Sequence, residues 1–220
     1  MRELKEKEIA FIGKITAGVT HEINNALASI KEISGLMEDL ISMSSTDSFP
    51  HQEKFLKVLP KIREQVQRSV KLTTQLNKFS HLTDTPKVQV KLNDFIEHLI
   101  FLTQRFARIK NVELQYQPVD QAVNFNTTPI QLQMAIYNCI TYFLSHTADG
   151  GKVIIHSIIN GETYSIRISF EGEIVDKSKL FNDISSEEEL LILQEAISSL
   201  EGSAEFDKSA QNITLNFKTL

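Results

Sequence analysis

The sequence predicts an α+β protein, with an N-terminal antiparallel helical hairpin followed by an α/β sandwich. Before residue 85, apolar side chains recur every three or four positions, as on one face of a helix. After it, short runs typical of strands alternate with helical segments, and Asn160-Gly161 is a strong hairpin signal between two of them. We therefore expect two domains, residues 1–85 and residues 86–220.

Composition excludes several classes of protein. Of 220 residues, 41% are hydrophobic and 23% charged, which is typical of a folded chain. The net charge of -5, without a run of Lys and Arg, argues against a nucleic-acid partner. A single cysteine, Cys139, allows neither a disulfide framework nor a cysteine metal cluster. Since no apolar stretch approaches the roughly 20 residues of a membrane span, we expect no membrane insertion and a cytoplasmic location.

Two long helices are predicted in the first domain. The first has an apolar stripe at Ile12, Ile15, Val19, Ile23, Ala26, Ile30, Ile33, Met37 and Leu40. The second has one at Phe55, Leu59, Ile62, Val66, Val70, Thr73, Leu76 and Ser80. Small polar residues and Pro50 predict the turn between them, and Pro60 predicts either a kink or a helix start. Because one hairpin cannot bury both stripes well, we expect a homodimer with a four-helix bundle.

The second domain is predicted to combine helices with antiparallel strands. The helices are expected at Leu92–Arg108, Pro129–Ser145 and Glu187–Leu200. The strands are expected at Val112–Gln117, Ala122–Phe125, Lys152–Ile159, Thr163–Phe170, Ser203–Asp207 and Asn212–Lys218. This order indicates a sandwich with one layer of helices and one of strands.

The candidate reactive residue is His21, in the middle of the first helix. It lies about 200° around the helix from Val19 and Ile23, so it should face solvent. A lone helical histidine is more often a surface or core residue than a reactive one. Here, however, its neighbours on that face are small, namely Ala17, Gly18, Asn25 and Ala28. We therefore expect a nearly flat surface that another protein can approach.

Imidazole suits phosphoryl transfer because one of its nitrogens is a free nucleophile at neutral pH. The carboxylate of Glu22 can accept a proton from the other ring nitrogen, although it can equally be an ordinary solvated charge. Asn25, one turn later, can orient a water or phosphoryl oxygens. The other histidines lack ligand spacing, and we predict no metal site.

The segment from Phe11 to Ile30, FIGKITAGVTHEINNALASI, closely resembles the phosphoacceptor box of sensor histidine kinases. The resemblance implies that His21 is the phosphoacceptor and Glu22 its acid/base partner. It also implies that Asn25 assists hydrolysis of a partner's aspartyl phosphate. One departure is Ala26, where the family usually has proline, which should remove a helix kink without affecting the chemistry.

Residues 87–220 resemble the ATP-binding domain of the same kinases, but the nucleotide motifs are degenerate. The family's asparagine pair is reduced to Asn138, with Tyr142 in place of the second, magnesium-binding asparagine. Phe170 stands where an aspartate reads adenine, and only Gly172 of that motif is retained. The later glycine-rich turn reads Glu189-Leu-Leu-Ile-Leu193. We therefore expect no ATP binding and no cofactor held by this chain.

These features favour a histidine phosphotransferase of a two-component phosphorelay. His21 would carry phosphate between the aspartates of response-regulator receiver domains, with Mg²⁺ supplied by the receiver. Two alternatives stay open. One is a non-catalytic dimeric scaffold that regulates receivers or kinases, although it would need none of His21, Glu22 and Asn25. The other is a divergent histidine kinase or response-regulator phosphatase.

Overall fold

The computed structural model describes residues 2–43, 51–83, 87–120, 124–160, 163–175, 180–181 and 187–218. The helices are α1 (Arg2–Ser42), α2 (Gln52–Ser80), α3 (Leu92–Ile109), α4 (Pro129–His146) and α5 (Glu188–Ser199). The strands are β1 (Val88–Lys91), β2 (Glu113–Gln117), β3 (Asn124–Thr127), β4 (Lys152–Asn160), β5 (Thr163–Glu171), β6 (Ser203–Asp207) and β7 (Asn212–Lys218). A short 3-10 helix, His81–Thr83, follows α2. The predicted α+β class, helical hairpin and sandwich are confirmed.

Helices α1 and α2 form the antiparallel hairpin. Phe11 near the start of α1 contacts Phe79 near the end of α2, with ring centroids 5.7 Å apart. The predicted stripe of α1 faces this contact, since Ile15, Val19 and Ala26 are buried. The predicted turn falls largely on residues 44–50, and the domain boundary on residues 84–86, both outside the described residues.

The predicted stripe of α2 does not pack on α1 in the single chain. Leu72 and Phe79 are the buried residues of α2, whereas Leu59, Val66 and Val70 of the predicted stripe are exposed. The helix carries apolar side chains on two faces, and the single chain packs only one of them on α1. Helix α2 begins at Gln52 and includes Pro60, so no helix starts near that proline.

The five-stranded sheet has the order β2-β4-β5-β7-β6. All its neighbouring strands are antiparallel except β2 and β4, which are parallel because the crossover between them includes α4. The expectation of antiparallel strands throughout was therefore wrong for this pair. Strand β1, which the sequence did not predict, pairs with β3 in a separate two-stranded sheet. Strands β4 and β5 pair up to Asn160 and Thr163, as the Asn-Gly signal predicts.

Helix α4 is the centre of the sandwich core. Every residue from Leu132 to Ile140 is buried. This run lacks the polar face of an amphipathic helix because α4 is covered by the sheet, by α3 and by α5. Its Tyr137 also contacts Phe11 of the hairpin, with ring centroids 5.1 Å apart. The hairpin and the sandwich therefore share one hydrophobic core.

Candidate functional site

His21 lies on the exposed face of α1, as predicted. The side-chain amide nitrogen of Asn25 donates a hydrogen bond to Nδ1 of His21 over 3.1 Å. In this arrangement Nδ1 is the acceptor, so the proton of the neutral ring is on Nε2. If the amide turns by 180°, its oxygen accepts from a protonated Nδ1 and leaves Nε2 as the free nucleophile.

The surface beside His21 is less flat than predicted. Ala17, Asn25 and Ala28 are exposed, but Gly18 is buried against the ring of Phe106 in α3. A Cβ atom at Gly18 would lie 3.0 Å from Cζ of Phe106. Glycine at this position therefore allows α1 and α3 to approach closely, and it brings the sandwich next to His21.

A groove of about 580 Å³, here called the His21 groove, runs between α1 and the sandwich. It is lined by Lys14, Ala17, Gly18, His21, Arg105, Phe106, Tyr137, Asn138, Thr141, Glu188, Glu189 and Ile192. The predicted phosphoacceptor and the retained Asn138 therefore lie on the same groove. The side chain of Asn138 is already engaged, since its amide donates to the carbonyl oxygen of Met134 over 2.7 Å.

Glu22 is buried between the hairpin and the sandwich, in contact with three arginines. Arg108 of α3 donates to its Oε2 over 2.6 Å, and Arg68 of α2 donates to the same oxygen. Nε of Arg105 lies 3.8 Å from Oε1. Burial by itself raises the pKa of Glu22, but the hydrogen bonds and charges of Arg108 and Arg68 outweigh it and lower that pKa.

The predicted role of Glu22 as the acid/base partner of His21 stays a prediction. In the present arrangement its carboxylate oxygens accept from arginines of α2 and α3. Sequence reasoning missed these arginines. The only local signal was the spacing of Arg105 and Arg108, which puts both on one face of α3.

Tyr142 and Phe170, at two degenerate nucleotide-binding positions, are buried in what we call the aromatic cluster. The cluster consists of Tyr142, Phe143, Phe170 and Phe181. Tyr142 stacks on Phe181 with ring centroids 5.2 Å apart, and its hydroxyl accepts from the Phe181 backbone N–H over 2.8 Å. Phe170 stacks on Phe143 with centroids 6.1 Å apart.

Gly172, the retained glycine, packs on the aromatic cluster. A Cβ atom there would lie 2.7 Å from Cζ of Phe170. Gly151 has a φ of +99°, and a Cβ atom on it would lie 2.8 Å from the same Cζ and 2.6 Å from the carbonyl oxygen of Glu171. Both glycines therefore make room for the phenylalanine ring. The sequence did not indicate this role for Gly151.

The described residues contain neither a group of side chains suited to a metal ion nor a helix suited to a membrane. Among them, His, Cys, Asp and Glu side chains nowhere form a group of three or more that could hold a metal ion. Each described helix is also too short or too polar to span a bilayer.

Comparisons with known proteins find that the chain is similar to histidine kinases. No protein-family model matches the chain. The sensor histidine kinase ZraS of Escherichia coli (strain K12) is 25% identical over 179 residues, which is 81% of this chain and 37% of the relative. ZraS of Salmonella typhimurium is 30% identical over 134 residues, 61% of this chain and 27% of the relative. The chain thus spans about a third of the length of these relatives.

Solved structures show the same fold. Histidine kinase AdeS of Acinetobacter baumannii matches with a TM-score of 0.52 at 12% identity, over 87% of this chain and 95% of that one. The catalytic domain of histidine kinase ThkA matches with a TM-score of 0.53 at 13% identity, over 61% of this chain and 98% of that one. The chain is therefore similar in sequence to sensor histidine kinases, and its second domain has the fold of a histidine kinase catalytic domain.

Proposed function

We propose that the chain is a histidine phosphotransferase of a two-component phosphorelay, located in the cytoplasm. With its ring proton on Nδ1 and the Asn25 amide oxygen accepting that proton, His21 attacks the phosphorus of a receiver's aspartyl phosphate through Nε2, a P–N bond forms, and the P–O bond breaks to release the aspartate. A second receiver's aspartate then attacks the phosphohistidine and returns the imidazole. The receivers supply Mg²⁺, and this chain binds no ATP.

The observation that carries this proposal is the contrast between His21 and the aromatic cluster. The imidazole is exposed and hydrogen-bonded to Asn25, as a nucleophile open to another protein requires. Tyr142 and Phe170 are buried, stacked rings at positions where the related kinases bind magnesium and adenine. A site with the acceptor but without its own donor needs phosphate from a partner.

A response-regulator partner is supported by one structural neighbour. Histidine kinase ThkA in complex with response regulator protein TrrA matches all of this chain and 65% of that one, with a TM-score of 0.51 at 15% identity. We extend this kind of partner to the present chain because His21 is exposed on α1. The free, buried thiol of Cys139 is consistent with the proposed cytoplasmic location.

The proposal includes a homodimer. Leu27 and Leu36 of α1, with Leu59, Val66 and Val70 of α2, are exposed in the single chain. Leu59, Val66 and Val70 are seven and four residues apart, so they form an apolar stripe on one face of α2, of the kind that marks protein contacts. A second hairpin that packs on this surface would complete the four-helix bundle.

A divergent histidine kinase is the second candidate. It is favoured by the sensor kinase relatives and by the His21 groove, which has Asn138 on its wall. In that case phosphate would come from ATP bound in the groove, outside the aromatic cluster.

Intact-mass measurement distinguishes the two candidates. The purified chain is incubated with Mg·ATP alone and, separately, with phosphorylated receivers. We expect a gain of one phosphoryl group from a receiver and none from ATP. Phosphate gained from ATP alone would overturn the proposal in favour of the kinase.

Two variants control this experiment. His21→Ala should abolish the gain of phosphate. His51→Ala should leave it unchanged, because His51 precedes α2 and makes no capping hydrogen bond through its side chain. Phosphate retained by His21→Ala would show that another residue is the acceptor.

A further inference from the structure

A second cavity, here called the arginine cavity, lies between α1, α2 and α3. Its volume is about 430 Å³, within the usual range for small-molecule sites. Gly18, Val19 and Glu22 of α1 line it, together with residues of the other two helices and Tyr116. It shares Gly18 and Arg105 with the His21 groove, so the two cavities adjoin.

The lining of the arginine cavity has an excess of positive charge. Arg68, Lys71, Arg105 and Arg108 line it with two acidic residues, Glu22 and Glu97, so four positive charges face two negative ones and leave a net charge of +2. Arg68 and Arg108 each donate to one oxygen of Glu22, whereas a guanidinium group has five N–H donors. Their side chains are 44% and 49% exposed, so donors remain available to a ligand.

Other residues of the cavity lining are apolar. Val19, Leu72 and Leu102 are buried there, and Ile100 and Phe101 are half-buried. The ammonium group of Lys71 lies over the Phe101 ring, 4.9 Å from its centroid. A ligand that fits this cavity therefore needs both an anionic group and an apolar body.

We propose that the arginine cavity binds a small amphipathic carboxylate, with its charged end at Arg68 and Arg108 and its hydrocarbon part against Ile100 and Phe101. The arginines already hold one carboxylate, that of Glu22, and a ligand carboxylate would occupy their remaining donors in the same way. The apolar residues of the lining disfavour a fully hydrated anion such as inorganic phosphate.

Isothermal titration calorimetry of the whole chain tests this site without any measurement of phosphotransfer, so its result is independent of the proposed function. Octanoate is the probe, with octanol and inorganic phosphate as the two partial ligands. We expect octanoate to bind at least about tenfold more tightly than either, because only octanoate can contact both the arginines and the apolar residues of the lining. Octanol bound as tightly as octanoate would overturn the proposal, as would absence of octanoate binding at millimolar concentration.

Three variants locate the ligand. Arg68→Gln and Arg108→Gln should each weaken octanoate binding by about tenfold through loss of a charged hydrogen-bond donor. Arg63→Gln is the control, because Arg63 is an exposed arginine of α2 that does not line the cavity. This variant should bind octanoate like the unmodified chain.

Ile100→Trp keeps the arginines but fills the space beside Ile100 and Phe101, so it should also weaken the binding of octanoate. This variant tests the site even if loss of an arginine disturbs the contact with Glu22. If all four variants bound octanoate equally, the ligand would lie elsewhere and the proposal would be wrong.

Discussion

The side-chain amide nitrogen of Asn25 lies 3.1 Å from Nδ1 of His21, one helical turn away. Residues four apart lie on the same face of a helix, so the α1 backbone itself brings the two side chains together. With the Asn25 amide turned by 180°, its oxygen accepts from a protonated Nδ1 and leaves Nε2 free to attack a phosphoryl group. Among the described residues, no other side chain hydrogen-bonds to this imidazole.

Asn25→Ala should slow the capture of phosphate by His21 about fivefold, since loss of one neutral hydrogen bond of about 1 kcal/mol raises the barrier by that amount. Asn24→Ala is the matched control, because Asn24 is an exposed asparagine on a different face of α1. Single-turnover transfer from a phosphorylated receiver measures both rates. Equal rates for the two variants would show that the amide of Asn25 does not orient the ring.

Tyr142→Phe should lower the free energy of unfolding by about 1–3 kcal/mol, because the backbone N–H of Phe181 loses its acceptor. Tyr137→Phe is the control, since the Tyr137 hydroxyl makes no hydrogen bond to a described residue. Urea denaturation followed by circular dichroism measures both. If Tyr137→Phe lowered the free energy of unfolding by as much, the loss of a buried hydroxyl, rather than of the hydrogen bond to Phe181, would explain the result.

Leu59→Glu should convert the proposed dimer into a monomer. The substitution would place an unpaired charge in the bundle, which costs several kcal/mol. Val175→Glu, at an exposed apolar residue of the sandwich, should leave the dimer intact. Light scattering coupled to size-exclusion chromatography gives both masses. If Leu59→Glu stayed dimeric, this face of α2 would not be the dimer contact.

Acidification should destabilise the chain in two steps. Burial lowers the pKa of His98 below its ordinary value of 6.5, although the hydrogen bond to the Gln75 carbonyl oxygen raises it in part. The contribution of neutral His98 to the free energy of unfolding is therefore present above pH 6.5 and is lost as the pH falls through the folded-state pKa. The pKa of Glu22 is also lowered, from an ordinary value of 4.5, so its contribution is lost below that pH.

Urea midpoints measured across this pH range test both steps. In a plot of urea midpoint against pH, His98→Gln should flatten the curve just below pH 6.5, and Glu22→Gln should flatten it only below pH 4.5. Each variant serves as the control for the other, since the two groups titrate in separate ranges. A curve unchanged by either substitution would exclude these groups as the source of the pH dependence.

Local patterns predicted most of the elements but little of the site's surroundings. The bounds of α3, α4, β6 and β7 follow directly from apolar periodicity and turn residues. Strand β1 was missed because its alternating run, Val88–Lys91, is only four residues long. The face of α2 that packs on α1 was not predicted, because the helix has two apolar faces and the choice between them depends on α1.

The sequence by itself determined that His21 faces solvent beside Asn25, because helical geometry alone places side chains that are one turn apart. Only the tertiary structure decided the position of Glu22 among Arg68, Arg105 and Arg108 and that of Gly18 against Phe106. These contacts join residues 46 to 88 positions apart in the chain. Their formation depends on how α1, α2 and α3 pack together, and the periodicity of a single helix carries no information about that packing.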